Sequence, residues 1–513
     1  MSTTTPNISA AHNACEQIVG WQLAAGLGDT TALLVEDRAL SYAELITAVN
    51  RTGNAVRAKG VERGDRVLLL LRDTPELVAT WLSVVKIGAV AIALNTRATP
   101  QDIGFALSNS ECAALVLEPE FNELYAAACP LSSHIPRIVT TDIADFARSD
   151  SDKLEACAVD LDDSAFWMYS SGTTGQPKAV ILRHRSATIA DFHLRYNFGA
   201  KPGDRVFSTS KLFFTGGLSH ALMGTLKCGA TVVLHPGWPD GNAVTEVVRR
   251  HKPTIFLSVP TLYRNLLRGG HATDGAYRGI HHFLSTGEAL PPTLFDAWLE
   301  ATGQPLLEGI GASETVHFAL ANTPAIYRKG SSGKVLPWAE VRLVGEDGKD
   351  VAQGNRGVLH VKMASIAAGY WKMPEKTANA FSDGWYRTGD IFVVDADGWW
   401  YHQGRDDDLL KIAGQWVSLT EIEHCALGLS GVAEVAAIGL PNDDDLMSLG
   451  LVVVPAARIR NPQALEQELH RHFDSAVPTY KRPQSVRFVR EMPRTVSGKL
   501  QRYKIREIFA AKT

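Results

Sequence analysis

The stretch Tyr169-Ser-Ser-Gly-Thr-Thr-Gly-Gln-Pro-Lys178 packs two glycines, four Ser or Thr hydroxyls and one lysine into ten residues. Gly172 and Gly175 free the backbone to bring its N–H groups close to a ligand. With the hydroxyls of Ser170, Ser171, Thr173 and Thr174 and the ammonium of Lys178, such N–H groups suit the oxygens of a polyphosphate. A Gly/Ser-rich surface turn is the other reading of these ten residues taken alone. The pattern is not a Walker A loop, because no Gly-Lys-Ser/Thr ending follows and Pro177 precedes Lys178.

Four further constellations carry functional groups. Gly309-Ile-Gly-Ala-Ser-Glu314 offers a flexible backbone, a hydroxyl and a carboxylate; Glu314 reads as a magnesium ligand shared with phosphate oxygens, or as a turn and helix-capping residue. Trp385-Tyr-Arg-Thr-Gly-Asp390 ends in a carboxylate on a glycine turn before the apolar run Ile391–Val394, an acceptor for ribose hydroxyls or a surface aspartate. Gly404-Arg-Asp-Asp-Asp-Leu-Leu-Lys-Ile-Ala-Gly414 is a solvated charge run or a hinge. In Pro493-Arg-Thr-Val-Ser-Gly-Lys-Leu-Gln-Arg502, Gly498 projects Lys499, whose cation would act where phosphate charge develops.

These groups need elements to hold them. Apolar runs Ala165–Tyr169 and Ala179–Leu182 flank the first loop as strands. Ser41 and Glu44 form a capping box that opens a helix running to about Lys59. Strands over 66–71, 90–94 and 113–117 alternate with helices over 76–86 and 100–108, the signature of parallel sheets with crossover helices. The apolar stretch Leu77–Leu94 is interrupted by Lys86 and Gly88, so it reads as a helix with one wet edge at Thr80 and Trp81, then a strand, and not a membrane span. A helix near 185–195 and strands over 206–208, 230–234 and 254–257 follow. Beyond about residue 330, short strands broken by Gly and Asp turns predict a β-rich subdomain. From about Gly404 a unit of roughly a hundred residues begins. The predicted class is α/β: a large N-terminal domain, 1–406, of mixed and parallel sheets with flanking helices and a β-rich subdomain over about 330–406, then a small mobile α+β domain, 407–513.

Composition removes several functions. There are 51 Lys and Arg against 55 Asp and Glu, a net charge of −4 that argues against a general nucleic-acid surface. The six cysteines are scattered with no C-x-x-C pair, which points to free thiols in a reducing, cytoplasmic compartment and away from a zinc site. His281-His282 has no ligand partners at zinc spacing. The first dozen residues are polar and predict a frayed end without a signal peptide.

Together and in this order, the five motifs closely resemble the adenylate-forming superfamily of acyl-CoA ligases, luciferases and carrier-loading adenylation domains, from about residue 25 onward. Lys211-Leu-Phe-Phe214, Ser285-Thr-Gly-Glu-Ala-Leu-Pro291, Gly309-Ile-Gly and His317 look most like its benzoate–CoA ligase branch. The resemblance implies a two-step ligation using ATP, Mg²⁺ and coenzyme A, with a carboxylic acid, preferably aromatic, as substrate. Ser170 to Lys178 would hold the β- and γ-phosphates. Ser313 would touch the α-phosphate, and Glu314 would bind the metal. Gly287, Glu288 and Ala289 would line the adenine, with Gly309, Ile310 and Gly311 beside the nucleotide. Asp390 and Arg405 would hold the ribose, and Asp407 would be the hinge. Lys499 would bridge carboxylate and α-phosphate in the first step and leave in the second.

The acyl pocket implied is Phe213, Phe214, Thr215, Gly216, Gly217, Ile310 and His317. Phe213 and Phe214 also read as core aromatics, and His317 as a structural histidine. Where benzoate-like members carry Ala-Tyr, this chain has Thr215-Gly216, which enlarges the pocket. Ile310 replaces a common adenine-stacking Tyr, and Phe214 replaces a gating His. Alternatives within the resemblance are a carrier-loading enzyme and a medium-chain acyl-CoA ligase. A chain that ends soon after Lys499 without a carrier domain favours free CoA. A homodimer is the base-rate expectation.

Overall fold

The computed structural model describes residues 9–140, 151–171, 177–406, 409–412, 415–441, 447–456, 461–494 and 500–510. Among these the strands form a seven-stranded and a nine-stranded sheet, a five-stranded sheet, and, after residue 406, a two-stranded and a three-stranded sheet. The large N-terminal domain is therefore built on mixed sheets, and a smaller α+β domain follows it.

In the seven-stranded sheet, Arg66–Leu70, Val90–Ala93, Ala114–Leu117 and Ile138–Thr140 run parallel. The first three are apolar on both faces because helices and a second sheet cover them, the usual pattern of a buried parallel sheet. Tyr42–Ala58 begins at the predicted capping box, with Ser41 Oγ accepting from the Glu44 N–H and the Glu44 carboxylate accepting from the Ser41 N–H.

The helix Pro75–Lys86 corrects one expectation: it has no wet edge. Thr80 is 1% and Trp81 2% exposed. It lies in a core shared by both large sheets, with Leu33 and Val232 of one and Val67 and Phe166 of the other. Even Lys86 is buried, its charge met by Glu16 at 2.9 Å. Periodicity reported the helix but not the second layer over it.

The nine-stranded sheet has a parallel centre, Thr31–Val35, Thr231–Val233, Arg205–Ser208, Ile255–Ser258, His282–Ser285 and Leu306–Ile310, with antiparallel ends. The helix expected near 185–195 is instead split into a 3-10 helix, His184–Ala187, and a π-helix, His193–Asn197. The backbone N–H groups of His184 and Arg185 bond to Asp163 O and Leu161 O, which ties the chain to the preceding loop. The frayed end expected over the first dozen residues does not include Ser9, which pairs with Val159, or Asn13, which is buried; residues 1–8 lie outside the described residues. All six cysteines are free. Among the described residues no helix is long and apolar enough to cross a membrane.

Candidate active site

The strands Ser164–Ser171 and Pro177–Arg183 pair antiparallel, with Ser170 opposite Lys178. The hydroxyl- and glycine-rich loop is thus carried at the end of a rigid hairpin. Gly172, Thr173, Thr174 and Gly175 lie outside the described residues, as do Asp407 and Lys499. Ser170 Oγ is buried with no hydrogen-bond partner among the described residues, a polar atom that calls for one.

Lys178 crosses to the segment after Leu306–Ile310. Its Nζ is 2.7 Å from Glu314 Oε1 and 2.9 Å from the Tyr370 hydroxyl, and it lies over the Tyr370 ring. Tyr370 in turn donates to Glu314 Oε1 at 2.8 Å. Burial pushes the Glu314 carboxyl up, but Lys178 and the Tyr370 hydroxyl outweigh it and hold the group below the usual glutamate range.

Asp390 corrects a second expectation. It does not end a turn but sits inside the ten-residue strand Trp385–Val394, directly opposite Arg405 on Trp400–Arg405. Gly389 makes this possible: its φ is 76°, and a Cβ there would stand 2.8 Å from Arg405 Nη2. Asp390 Oδ1 meets Arg405 Nη1 at 3.2 Å and His402 Nε2 at 3.5 Å. Burial again raises the carboxyl, and His402 and Arg405 bring it below the usual aspartate range. Lys178, Tyr370, Tyr386, Thr388, Gly389 and Arg405 line one cleft of about 400 Å³. Glu314 and Asp390 stand behind that lining, bonded to Lys178 and Arg405.

A second group flanks this cleft. Ser313 Oγ is 2.8 Å from Thr215 Oγ1, so the first hydroxyl of the Glu314 segment touches the start of the helix Gly217–Gly224. Lys211 anchors that helix's approach, with Nζ 3.3 Å from Asp73 and bonded to the Gly237 carbonyl at 2.8 Å. Phe213 and Phe214 stack at 4.4 Å; Phe213 is buried and Phe214 half-buried. A Cβ at Gly217 would lie 2.4 Å from Lys211 O, whereas one at Gly216 would meet Ser210 and Thr286 at an ordinary contact distance of 3.6 Å. His317 is buried, its Nε2 2.9 Å from Ser186 O. Gly309 and Gly311 pack against the Phe318 ring. Thr286 Oγ1 donates to Gly309 O at 3.3 Å, which joins the Gly287-Glu288-Ala289 turn to the Gly309-Ile310-Gly311 strand end.

The profile of the AMP-binding enzyme family matches residues 21–371, and that of the AMP-binding enzyme C-terminal domain matches residues 421–499. The chain belongs to the AMP-binding enzyme family. Within it, the chain is 47% identical over 510 residues to the 3-hydroxybenzoate–CoA/4-hydroxybenzoate–CoA ligase of Thauera aromatica, covering 97% of this chain and 98% of that one. It is 35% identical over 519 residues to the benzoate–CoA ligase of Thauera aromatica, covering 98% of each. Among solved structures, an anthranilate CoA ligase in complex with anthranoyl-AMP superposes with a TM-score of 0.90 at 33% identity, covering 98% of each chain.

Four groups of this AMP-binding enzyme's cleft escaped the sequence reading. Tyr370 binds both Lys178 and Glu314, and His402 supports Asp390. Glu308, buried, accepts from Ser332 Oγ at 2.7 Å and from the Leu290 N–H at 2.9 Å, clamping the turn after Ala289. Tyr386 is buried in the cleft wall. Tyr386 lies inside the Trp385–Asp390 motif, whose reading rested on its aspartate; Tyr370, His402 and Glu308 fall outside every motif.

Proposed function

We propose that this chain is an AMP-forming aryl-acid CoA ligase: it adenylates an aromatic carboxylic acid of the benzoate or hydroxybenzoate class with ATP and transfers the acyl group to coenzyme A. The observation that carries the reading is the convergence of Lys178, Glu314 and the paired strands bearing Asp390 and Arg405, from three separate stretches of the chain, at one polar cleft. The named activities of the relatives support the choice of acid and acceptor.

In this reading the hairpin loop from Ser170 to Lys178 grips the β- and γ-phosphates. Ser313 contacts the α-phosphate, Asp390 and Arg405 hold the ribose, and the 287–289 turn and the 309–311 strand end flank the adenine. Glu314 fits Mg²⁺: both of its side-chain hydrogen bonds fall on Oε1, and it is a single buried carboxylate beside the phosphate loop. Among the described residues no group of three or more His, Cys, Asp or Glu could hold a metal on protein ligands alone, as expected for an ion that shares its coordination with phosphate. When bound, Mg²⁺ would neutralise phosphate charge.

The acid's carboxylate oxygen attacks the α-phosphorus and the bond to the β-phosphate oxygen breaks, releasing pyrophosphate. Phosphate oxygens repel the incoming carboxylate. Lys178 offsets this on the pyrophosphate side, and Lys499 offsets it between carboxylate and α-phosphate. The thiol of coenzyme A then attacks the acyl carbon, loses its proton, and AMP leaves. The second step needs a thiol path and no bridging lysine, so a unit over 407–513 turning about Asp407 exchanges which face meets the cleft. A cytoplasmic homodimer completes the reading.

The test is pyrophosphate release and thioester formation over benzoate, hydroxybenzoates, cinnamates and medium-chain acids, with CoA or a phosphopantetheinylated carrier protein as acceptor. Benzoates or hydroxybenzoates with CoA should give the highest kcat/KM. Product only with the carrier, or only from medium-chain acids, overturns the proposal.

A further inference from the structure

Lys178 suits phosphate oxygens and Glu314 a divalent cation, yet the two side chains hold each other, with Lys178 Nζ 2.7 Å from Glu314 Oε1. This is no loose surface contact: the Glu314 side chain is 6% exposed and that of Lys178 22%. Tyr370 closes a triangle with them. Its hydroxyl accepts from Lys178 Nζ at 2.9 Å and donates to Glu314 Oε1 at 2.8 Å, and its ring centre lies 4.2 Å from Nζ.

The order of the three groups from the cleft inward decides what a ligand meets. Lys178 and Tyr370 line the cleft, and Glu314 does not. A cation that enters there reaches the ammonium before it reaches the carboxylate. Among the described residues of the lining, Lys178, Arg387 and Arg405 are cationic and Asp406 is anionic. Such a surface repels a bare metal ion and attracts a polyanion.

The two possible partners of Glu314 also exclude each other. A divalent cation on this carboxylate would stand within about 4 Å of the Lys178 ammonium, where like charges repel strongly. Lys178 cannot simply leave either, because a buried carboxylate stripped of its partner is costly. Lys178 therefore needs another anion to turn to, and Glu314 needs another cation in its place. Both conditions are met at once when Lys178 turns to a polyphosphate that carries its own divalent cation.

We propose that Lys178 masks Glu314, so that this carboxylate is open to a divalent cation only when the cation arrives with a polyphosphate. The inference rests on the assignment of Glu314 to Mg²⁺ in the ligase reading and adds an order of binding to it. Tyr370 is the fixed member of the exchange, since its hydroxyl keeps its bond to Glu314 when Lys178 moves.

The experiment uses Mn²⁺ as the probe and no acid, so no turnover is involved. Electron paramagnetic resonance gives the affinity for Mn²⁺ alone, and calorimetric titration gives that for MnATP. The proteins are wild type, Lys178→Met, Lys178→Arg, Glu314→Gln and the double variant Lys178→Met/Glu314→Gln. Lys178→Met should bind Mn²⁺ alone at least about tenfold more tightly than wild type and MnATP at least about tenfold more weakly. A general loss of structure cannot move two affinities in opposite directions. The gain should vanish in the double variant and be absent from Lys178→Arg, which keeps the charge. Lys178→Gln repeats the test should Lys178→Met not fold. Wild type that binds Mn²⁺ alone as tightly as MnATP overturns the masking without any variant. So does a folded Lys178→Met with no gain for Mn²⁺, or an equal gain in Lys178→Arg, while MnATP binding still depends on Glu314. MnATP binding that is the same in wild type and Glu314→Gln removes the metal assignment itself, and this inference with it.

Discussion

At the cleft lined by Lys178 and Arg405, Glu314 and Asp390 are held below the usual carboxylate range, the first by Lys178 at 2.7 Å, the second by His402 at 3.5 Å and Arg405 at 3.2 Å. Around Phe318, His193, His220 and His317 are buried against one another and pushed below the ordinary histidine range. The first region solves the burial of ionisable groups by pairing opposite charges. The second solves it by refusing the charge. The cleft therefore suits a ligand that brings its own charge, such as a polyphosphate. The histidine cluster is neutral core, packed ring against ring.

The sharpest way to break the comparison is to remove the cation assigned to the cleft from outside it. Lys499→Ala should lower adenylate formation by about 10²- to 10³-fold or more. Thioester formation from preformed acyl-adenylate should stay near wild type. Single-turnover measurement of the two half-reactions tests this. An equal fall in both, with the fold intact, would remove the bridging role from Lys499.

The two regions should also separate on a pH axis. A histidine whose folded pKa lies below its ordinary value of 6.5 leaves the unfolded chain binding protons that the fold refuses, so stability falls as pH falls below about 6.5. For His317 that continues to about 4, and for His193 to about 3. Each contributes a slope of about 1.4 kcal/mol per pH unit inside its window. Glu314 and Asp390 have lowered folded pKa values, so their contribution is present above the ordinary carboxylate range and is lost only as pH falls below it. Thermal unfolding should weaken between pH 7 and 5 from the histidines, before the cleft carboxylates titrate. Other buried histidines, His184 among them, add to the same limb. The isolating measurement is thus the difference between wild type and His193→Asn. A flat Tm from pH 7 to 5, or no difference in slope, would contradict the account of the cluster.

Much of the frame was legible before any coordinates. Ser41 and Glu44 mark a helix start by local chemistry alone, and the parallel strands announce themselves as apolar runs between helical periods. The loop after Ser170 was legible as a polar loop between two strands because apolar runs enter and leave it; that the strands pair antiparallel was not. Pairings set by the fold were not. Lys178 and Glu314 are 136 positions apart and meet through Tyr370, which carries no motif. The helix Pro75–Lys86 looked half-wet because its second covering layer comes from strands elsewhere in the chain. Asp390 looked like a turn residue because a glycine precedes it, yet the positive φ of Gly389 lets the strand run on past Arg405. Of the histidine cluster, only His317 stood out in sequence. The unpaired nitrogens of His220 exist only once Phe318 and His193 have closed around it.

The smallest expected effect tests whether the cleft's charge pairing depends on its neutral member. Tyr370 accepts from Lys178 Nζ and donates to Glu314 Oε1, so its hydroxyl bridges both charges. Tyr370→Phe keeps the ring under Lys178 and removes only that bridge. The direct Lys178–Glu314 contact survives, so the loss should be about 1–2 kcal/mol and not the larger penalty of a stranded buried charge. Glu314 should become easier to protonate, because one of the groups holding its pKa down is gone. The stability it contributes would then be lost at a higher pH as acid is added. Tm measured for wild type and variant at pH 7 and again near pH 4 reads both consequences, with the gap between the two proteins narrowing at the lower pH, because the variant has less charge-dependent stability left to lose. A gap of the same size at both pH values would mean that Lys178 alone sets the state of Glu314 and that Tyr370 only fills space.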